Sequence, residues 1–215
     1  HDHYLRHGLD EGTTEIVMTQ GHHYLEMVQP LPSTFKRLVA GDRIRIGRRD
    51  FQVLSGDGHA PEQIMLYCEA EQLFFGADQV LAKITPNVSV WAEEPTGNPL
   101  GLYLRSLAQL NDSISPDALV LPGHQLPFRG LQQRSRELAE HHASRCRLIA
   151  AAASERPHSV AELVPVMFTR ALDPHQLGFA FSEAHAHVNY MVERNELSWT
   201  ASGDGVDRVI ATGAA

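Results

Sequence analysis

Cysteine is scarce in this chain of 215 residues, which contains only Cys68 and Cys146. Two thiols in a chain of this length do not suggest a disulfide scaffold, so we expect a protein of the reducing cytoplasm. Long apolar runs are also missing, because none reaches the roughly 18 to 20 residues that are needed to cross a bilayer. The sequence therefore argues against membrane-spanning helices and predicts a globular protein without a membrane partner.

Runs of lysine or arginine are absent as well, and the formal net charge is −8. This balance argues against a general nucleic-acid binder, which needs positive charge to neutralise phosphates. The hydrophobic fraction of 43% and the charged fraction of 20% are ordinary for a globular domain. Histidine is unusually frequent, with 13 residues, and the question is which few of them carry chemistry.

The apolar pattern in the first two thirds of the chain is that of an α/β protein. Helical periodicity, interrupted by glycines at 8, 12 and 21, predicts helical structure over residues 4–28, which the prolines at 30 and 32 end. Polar and apolar residues then alternate, as they do in half-buried strands. The predicted elements are two strand pairs over 42–54 and 64–76, a helix over 100–110, a buried strand over 118–121 and a long helix over 130–154.

The organisation changes after Pro157. A short helix is predicted over Val160–Phe168 with Ser159 as its cap, and Pro174 can begin a helix that runs to about Asn195. Two strand-like segments over 197–200 and 207–210 complete the layout of a winged helix. We therefore predict a main domain over residues 1–155 and a winged-helix-like appendage over 156–215.

The charge of the appendage predicts a role other than DNA binding. From Arg156 to the end it contains four arginines, no lysine and seven acidic residues. A DNA-binding module needs the opposite sign. A packing or dimer-forming role is favoured.

Three polar side chains each follow the end of an apolar strand: His59 after 51–54, Asp78 after 73–77 and His124 after 118–121. Taken singly, each has an ordinary explanation. His59 could be an incidental histidine in a turn, Asp78 could cap the next segment, and His124 could be an ordinary loop residue. Taken together they are more informative, because strand-end loops at one edge of a sheet can converge. An imidazole–carboxylate–imidazole set suits zinc, iron or manganese.

The order and spacing of these segments resemble the later motifs of the metallo-β-lactamase superfamily. Gly58-His59-Ala60-Pro61 resembles its Gly-His-(Ser/Thr/Ala)-Pro motif, Phe75-Gly76-Ala77-Asp78 the strand that ends in the bridging aspartate, and Leu121-Pro122-Gly123-His124 the final histidine motif. The connecting segments look like the glyoxalase II-like and lactamase-B2-like branches. The likeness spans about residues 30–150, and the tail resembles the winged-helix appendage of the lactamase-B2-like group.

The resemblance implies an α/β fold that forms part of an αββα sandwich, with a C-terminal winged-helix-like region. It also implies a metal-dependent hydrolase with two divalent ions, zinc in the first place and iron or manganese as alternatives. Asp78 would be the bridging ligand and the catalytic residue, while His59 and His124 would complete the two metal positions. A metal-activated water would attack an ester, a thioester or a related small-molecule substrate.

The chain departs from the family pattern because it has no His-x-His-x-Asp-His motif, which normally precedes the first of these three motifs. Asp2-His3 could be the tail of that motif, but the helical pattern that follows argues against it. We therefore expect the missing ligands to lie before residue 1, so that the chain is the C-terminal part of a longer protein. The alternatives are a catalytically incomplete, metal-poor binding or assembly module, and a nuclease of the same superfamily.

Three further histidine pairs are interpreted as structural or surface residues. His22 and His23, and likewise His141 and His142, are adjacent on predicted helices, so their side chains point about 100° apart. His185 and His187 are separated by two positions on a helix and do not face each other. None of the pairs is expected to chelate one ion by itself.

Overall fold

The computed structural model describes residues 1–27, 32–200 and 202–213, with only the backbone described for 20–27. Within these ranges the chain divides into two compact units. Unit 1 comprises residues 1–33, 89–98 and 142–215, and unit 2 comprises 34–88 and 99–141. Both units are assembled from segments that are distant in sequence. The predicted boundary between 155 and 156 was drawn from local pattern alone, and it stays a prediction.

Unit 2 is built on a five-stranded sheet with the order β1-β2-β3-β4-β5. The first four strands pair antiparallel in sequence order, whereas β5 pairs with β4 in parallel. The strands are β1 (Arg43–Ile46), β2 (Arg49–Gly56), β3 (Gln63–Cys68), β4 (Leu73–Ala77) and β5 (Leu119–Pro122). Each lies within a few residues of a strand predicted from the sequence. The parallel pair places the C-terminal ends of β4 and β5 at the same edge of the sheet.

Helix α3 (Pro99–Ser113) connects β4 to β5 and packs against β2. Its buried face recurs at helical spacing, through Leu100, Tyr103, Leu107 and Leu110. Helix α4 (Leu131–Glu155) follows β5 and is the long helix that the sequence predicted. It begins in unit 2 and ends in unit 1.

Unit 1 contains the remaining helices and a two-stranded sheet. These elements are α1 (Asp2–Arg6), α2 (Glu11–Met27), α5 (Val160–Met167), α6 (Pro174–Glu193), β6 (Leu197–Thr200) and β7 (Arg208–Ala211). The order helix, helix, hairpin after Pro157 is the one predicted from the sequence. Its core joins side chains of α2, α4, α5, α6 and the hairpin, among them Val17, Ile149, Leu163, Phe181 and Met191.

The helical segment predicted over residues 4–28 consists of two helices in the structure, and they are separated at Gly8, one of the predicted interruptions. Gly8 has a φ of +96°, a left-handed conformation that ends α1. Asp10 then accepts hydrogen bonds from the backbone N–H and the hydroxyl of Thr13, which caps the start of α2. His22 and His23 fall in α2, but their side chains lie outside the described residues.

Ser159 caps α5 as predicted. Its hydroxyl accepts from the N–H of Glu162, and the Glu162 carboxylate accepts from the N–H of Ser159, which makes a complete capping box. Asp173 caps α6 in a similar way, with Pro174 as the first helical residue. Among the described residues, no helix is long and apolar enough to cross a membrane.

Candidate metal centre

The three residues predicted as ligands come together at the end of the β4–β5 pair. The Asp78 carboxylate oxygen Oδ2 lies 3.7 Å from His59 Nε2 and 3.4 Å from His124 Nε2. The His59 and Asp78 side chains are each 26% exposed, whereas the His124 side chain is 67% exposed. Asp78 therefore lies between the two imidazoles, and the His124 side of the group is open to solvent.

The parallel pairing of β4 and β5 brings Asp78 and His124 together. The N–H of Gly123 donates to the carbonyl of Ala77 over 2.8 Å, so the two strand ends remain joined beyond the regular ladder. Ala77 and Gln125, which precede Asp78 and follow His124, have φ values of +44° and +71°. Residues other than glycine adopt this region at a cost, and such strain is common at functional sites.

His59 is placed by the loop that follows β2. Gly58 has a φ of +102°, and a Cβ at this position would collide with Tyr103 on α3, so the turn requires glycine. The next residues are held by Asp57, whose carboxylate accepts from the N–H of Glu62 and whose own N–H donates to the Ser106 hydroxyl. The glycine turn predicted from the sequence therefore has a packing reason.

The ring of His59 is oriented by a backbone carbonyl. Its Nδ1 lies 2.8 Å from the carbonyl oxygen of Asn87, which can only accept, so Nδ1 carries the proton. Nε2 then presents its lone pair towards Asp78. This is the arrangement in which a histidine normally ligates a metal, with the other ring nitrogen hydrogen-bonded to a carbonyl.

The group of residues fits a divalent cation. Asp78 Oδ1 is buried and has no hydrogen-bond partner among the described residues. Gly123 leaves the space beside that oxygen free, since a Cβ there would lie 2.5 Å from it. A buried carboxylate oxygen without a partner is costly unless a cation or a donor occupies its lone pairs. Two imidazoles and a carboxylate match the donor sets of zinc, iron and manganese.

The segment after Asp78 is hydrogen-bonded to a side chain of α4. The Arg134 guanidinium donates to the carbonyls of Leu81, Lys83 and Ile84 over 2.8, 3.1 and 2.9 Å. The N–H of Lys83 also donates to the side-chain oxygen of Gln125, one residue after His124. These bonds fix the loops on both sides of the candidate centre.

The sequence interpretation missed two other groups of potential ligands, both in unit 1. One joins His3, His7 and His185, and the other joins His142, Glu183 and His187. His185 and His187 do point to different groups, as their spacing predicts. The signals were present as the four-residue spacings His3 to His7 and Glu183 to His187, which place side chains on one face of a helix.

Burial changes the acidity of these groups. It lowers the pKa of His3 to about 4 and that of His185 to about 2, and it also lowers the pKa of His7, so the three rings are neutral. In the second group, burial raises the pKa of Glu183 to about 7. His3 lies on the short helix α1.

Comparison with known proteins places these observations in a family. Residues 146–211 match the model of the metallo-β-lactamase-like C-terminal domain. A β-lactamase domain protein from Burkholderia ambifaria is 40% identical, with a TM-score of 0.91 over 98% of this chain and 61% of its own. A metallo-β-lactamase family protein from Thermus thermophilus is 30% identical, with a TM-score of 0.78 over 97% of this chain and 62% of its own. No curated protein matches the sequence.

The chain thus spans about three fifths of the length of the two solved structures that it resembles. Their mixed α/β fold is the one predicted from the sequence, and the likeness extends over nearly all of the described residues. Together with the match of the C-terminal region, it confirms the resemblance drawn from the three motifs. The chain belongs to the metallo-β-lactamase superfamily.

Proposed function

We propose that the protein containing this chain is a metal-dependent hydrolase, with His59, Asp78 and His124 among its metal ligands. The observation that carries the proposal is the position of Asp78, whose Oδ2 lies within 3.7 Å of both imidazoles while Oδ1 is buried without a partner among the described residues. Because Asp78 faces both histidines, it is suited to bridge two cations, and zinc is the first choice, with iron or manganese as alternatives.

A divalent ion held there would supply Lewis-acid catalysis and would lower the pKa of water towards neutrality. The residues of this chain would hold the metal ligands in position. The Asn87 carbonyl holds the His59 ring in the tautomer that offers Nε2, and the parallel strands hold Asp78 against His124. The arginine anchor on α4, formed by Arg134, keeps the loop after Asp78 in place.

An ester, a thioester or a related small molecule is the proposed substrate. The exposed side of the centre at His124 leaves room for a substrate to approach. The net charge of −8 supports a small molecule over a nucleic acid, since polyphosphate binding needs positive charge. The acidic C-terminal region from Arg156 onwards is proposed to serve packing or self-association, for example in a homodimer.

The proposal is tested by assaying the natural protein that contains this chain against a panel of chromogenic esters and thioesters, with and without added zinc or manganese. Asp78→Asn and His59→Gln are expected to lower kcat/KM by at least about 100-fold. Loss of a residue that only hydrogen-bonds to a metal ligand already lowers metal affinity or activity by about 10- to 100-fold, and loss of the ligand itself should cost more. His175→Gln is the matched control, since this histidine is exposed and belongs to unit 1.

Equal activity of Asp78→Asn and of the unaltered protein would contradict the proposal. A protein that retains no metal at this site and hydrolyses none of the panel would instead support the alternative of a metal-poor binding or assembly module.

A further inference from the structure

The second feature that points to a ligand is the histidine group formed by His3, His7 and His185 within unit 1. His3 lies on α1 and His7 follows that helix four residues later, so both side chains lie on the same face. His185 reaches them from α6. The ring centroids are 4.8 Å apart for His3 and His7, 4.3 Å for His7 and His185, and 5.2 Å for His3 and His185.

Three ring nitrogens of this group lack the hydrogen bonds that buried polar atoms normally make. His185 is fully buried, and neither of its ring nitrogens has a partner among the described residues. The Nδ1 atom of His3 is also buried and without a partner there. Packing of aromatic rings alone would not explain histidine at position 185, since phenylalanine would fill the same space without leaving two polar atoms unsatisfied.

His7 is held in the form that binds a metal. Its Nδ1 lies 2.7 Å from the carbonyl oxygen of His3, so Nδ1–H donates and Nε2 presents a lone pair. One nitrogen from each ring can be chosen such that the three atoms lie within 4.8 Å of one another.

The group opens into a cavity of about 820 Å³ whose lining belongs entirely to unit 1. Asp2, Glu193 and Asp207 contribute carboxylates to its wall, whereas Arg6 contributes one guanidinium. The Arg6 guanidinium is paired with Asp207 over 2.5 Å, so it adds little repulsion towards a cation. The balance of charge around the cavity therefore favours a positively charged occupant.

We propose that His3, His7 and His185 form a further metal site, separate from the one at Asp78, which binds a single zinc ion. Three uncharged nitrogen ligands select against magnesium and calcium, which prefer oxygen, and favour zinc and its neighbours in the first transition row. Three protein ligands leave a fourth position of a tetrahedral ion for water or a small molecule from the cavity. The proposal does not depend on hydrolase activity at Asp78.

Zinc and cobalt(II) binding by the 215-residue chain tests this site, with His59→Gln and His124→Gln present throughout to remove the other centre. Into this background we would introduce His3→Gln and His7→Gln singly, with His175→Gln as the exposed control on α6. The bound metal is counted after gel filtration, and the affinity is measured by competition with a chelating dye. Circular dichroism verifies that each variant is folded. His3 is the key position, because it is only partly buried and its replacement should leave the fold intact.

The background protein is expected to bind one zinc ion through this site, and its cobalt(II) form should show the intense visible bands of four-coordinate cobalt. His3→Gln and His7→Gln should each weaken zinc binding by at least about tenfold, while His175→Gln leaves the affinity unchanged. Zinc affinity and stoichiometry that are the same in the background and in both folded variants would overturn the proposal. Failure of the background protein to bind zinc at all would overturn it as well.

Discussion

Asp78 and Gly123 form a pair in which the small residue makes room for the acidic one. The distance from an added Cβ at Gly123 to Asp78 Oδ1 would be only 2.5 Å, closer than side chains approach one another. Either the carboxylate or the strand end must move to accept a larger residue. Glycine at this position therefore determines whether Asp78 can remain between the two imidazoles.

Replacing Gly123 with alanine should weaken metal binding at Asp78 and lower the free energy of unfolding by about 1–3 kcal/mol, the usual cost of overpacking. Metal affinity and urea denaturation of the folded variant provide the measurements. Gly203→Ala is the control, because a Cβ there meets nothing within 4 Å. A Gly123→Ala variant with unchanged metal affinity would show that the carboxylate is not confined as described.

Asp10 should make the stability of α2 depend on acid. Hydrogen bonds from the hydroxyl and N–H of Thr13 hold the pKa of Asp10 below its usual value of 3.8. A lowered pKa in the folded state means that the stabilisation is complete well above pH 3.8 and is lost as the pH falls through the folded pKa. Asp10→Ala should therefore melt at a lower temperature near pH 7, and the difference from the unaltered chain should shrink at acidic pH.

Glu15→Ala, at an exposed position of the same helix, is the control for this comparison, because it changes charge without removing the cap. A melting-temperature difference for Asp10→Ala that is the same at pH 7 and at pH 3 would mean that the carboxylate does not cap α2 through its charge.

At the scale of elements, the junction before α5 is specified by a few side-chain bonds. Ser159 and Glu162 satisfy two backbone N–H groups at the start of α5, and Arg156 pairs with the Glu162 carboxylate over 2.9 Å. Capping residues of this kind can be recognised from sequence, because the spacing Ser-x-x-Glu is local.

Ser159→Ala should lower the free energy of unfolding by about 1 kcal/mol, which is typical for the loss of a helix cap. Guanidinium denaturation measures this directly. Ser154→Ala is the matched control, since its hydroxyl is exposed and donates to the carbonyl of Ala151 in its own helix. An effect of the same size for the two serines would argue that the capping box contributes nothing of its own.

The arginine anchor joins α4 to the loop that follows Asp78. The Arg134 side chain is 14% exposed and donates hydrogen bonds to three backbone carbonyls. Arg134→Gln should lower the free energy of unfolding by roughly 2 kcal/mol or more, because hydrogen bonds to a charged donor are each worth about 1.5–3 kcal/mol. It should also weaken metal binding, since the loop carrying Asp78 loses its support.

Arg136→Ala provides the comparison, because this exposed arginine donates to Gln133 on the same helix and is not part of the anchor. If the two substitutions had the same effect on stability and on metal affinity, the anchor would not support the candidate centre.

At the scale of the whole molecule, the elements were predictable and their assembly was only partly so. The strands and most helices follow local periodicity, and His59, Asp78 and His124 were proposed as ligands because each follows the end of a strand in a motif that resembles the family's. Gly8 was recognisable as an interruption of the helical pattern, whereas the cap that Asp10 provides for α2 was not predicted. The sequence pattern alone could not show that His3 and His185 meet, since they lie near opposite ends of the chain and only the fold closes that distance.

The division into two discontinuous units could not be predicted from local sequence pattern either. Residues 1–33 belong to the unit that contains the C-terminal helices, and a local pattern carries no information about such a grouping. Within unit 1, the N-terminal and C-terminal segments are joined by contacts such as the bond from the N–H of Asp207 to the carbonyl of Arg6, over 2.8 Å. Long-range contacts of this kind decide which histidines become neighbours.

The proposed hydrolase requires Asp78, His59 and His124 as metal ligands, and metal analysis of the natural protein that contains this chain tests this requirement most directly. The metal content is measured for the unaltered protein, for Asp78→Asn and for the His3→Gln variant of the other histidine group. We predict that Asp78→Asn loses metal that His3→Gln keeps. Identical metal content in the unaltered protein and in folded Asp78→Asn would contradict the account.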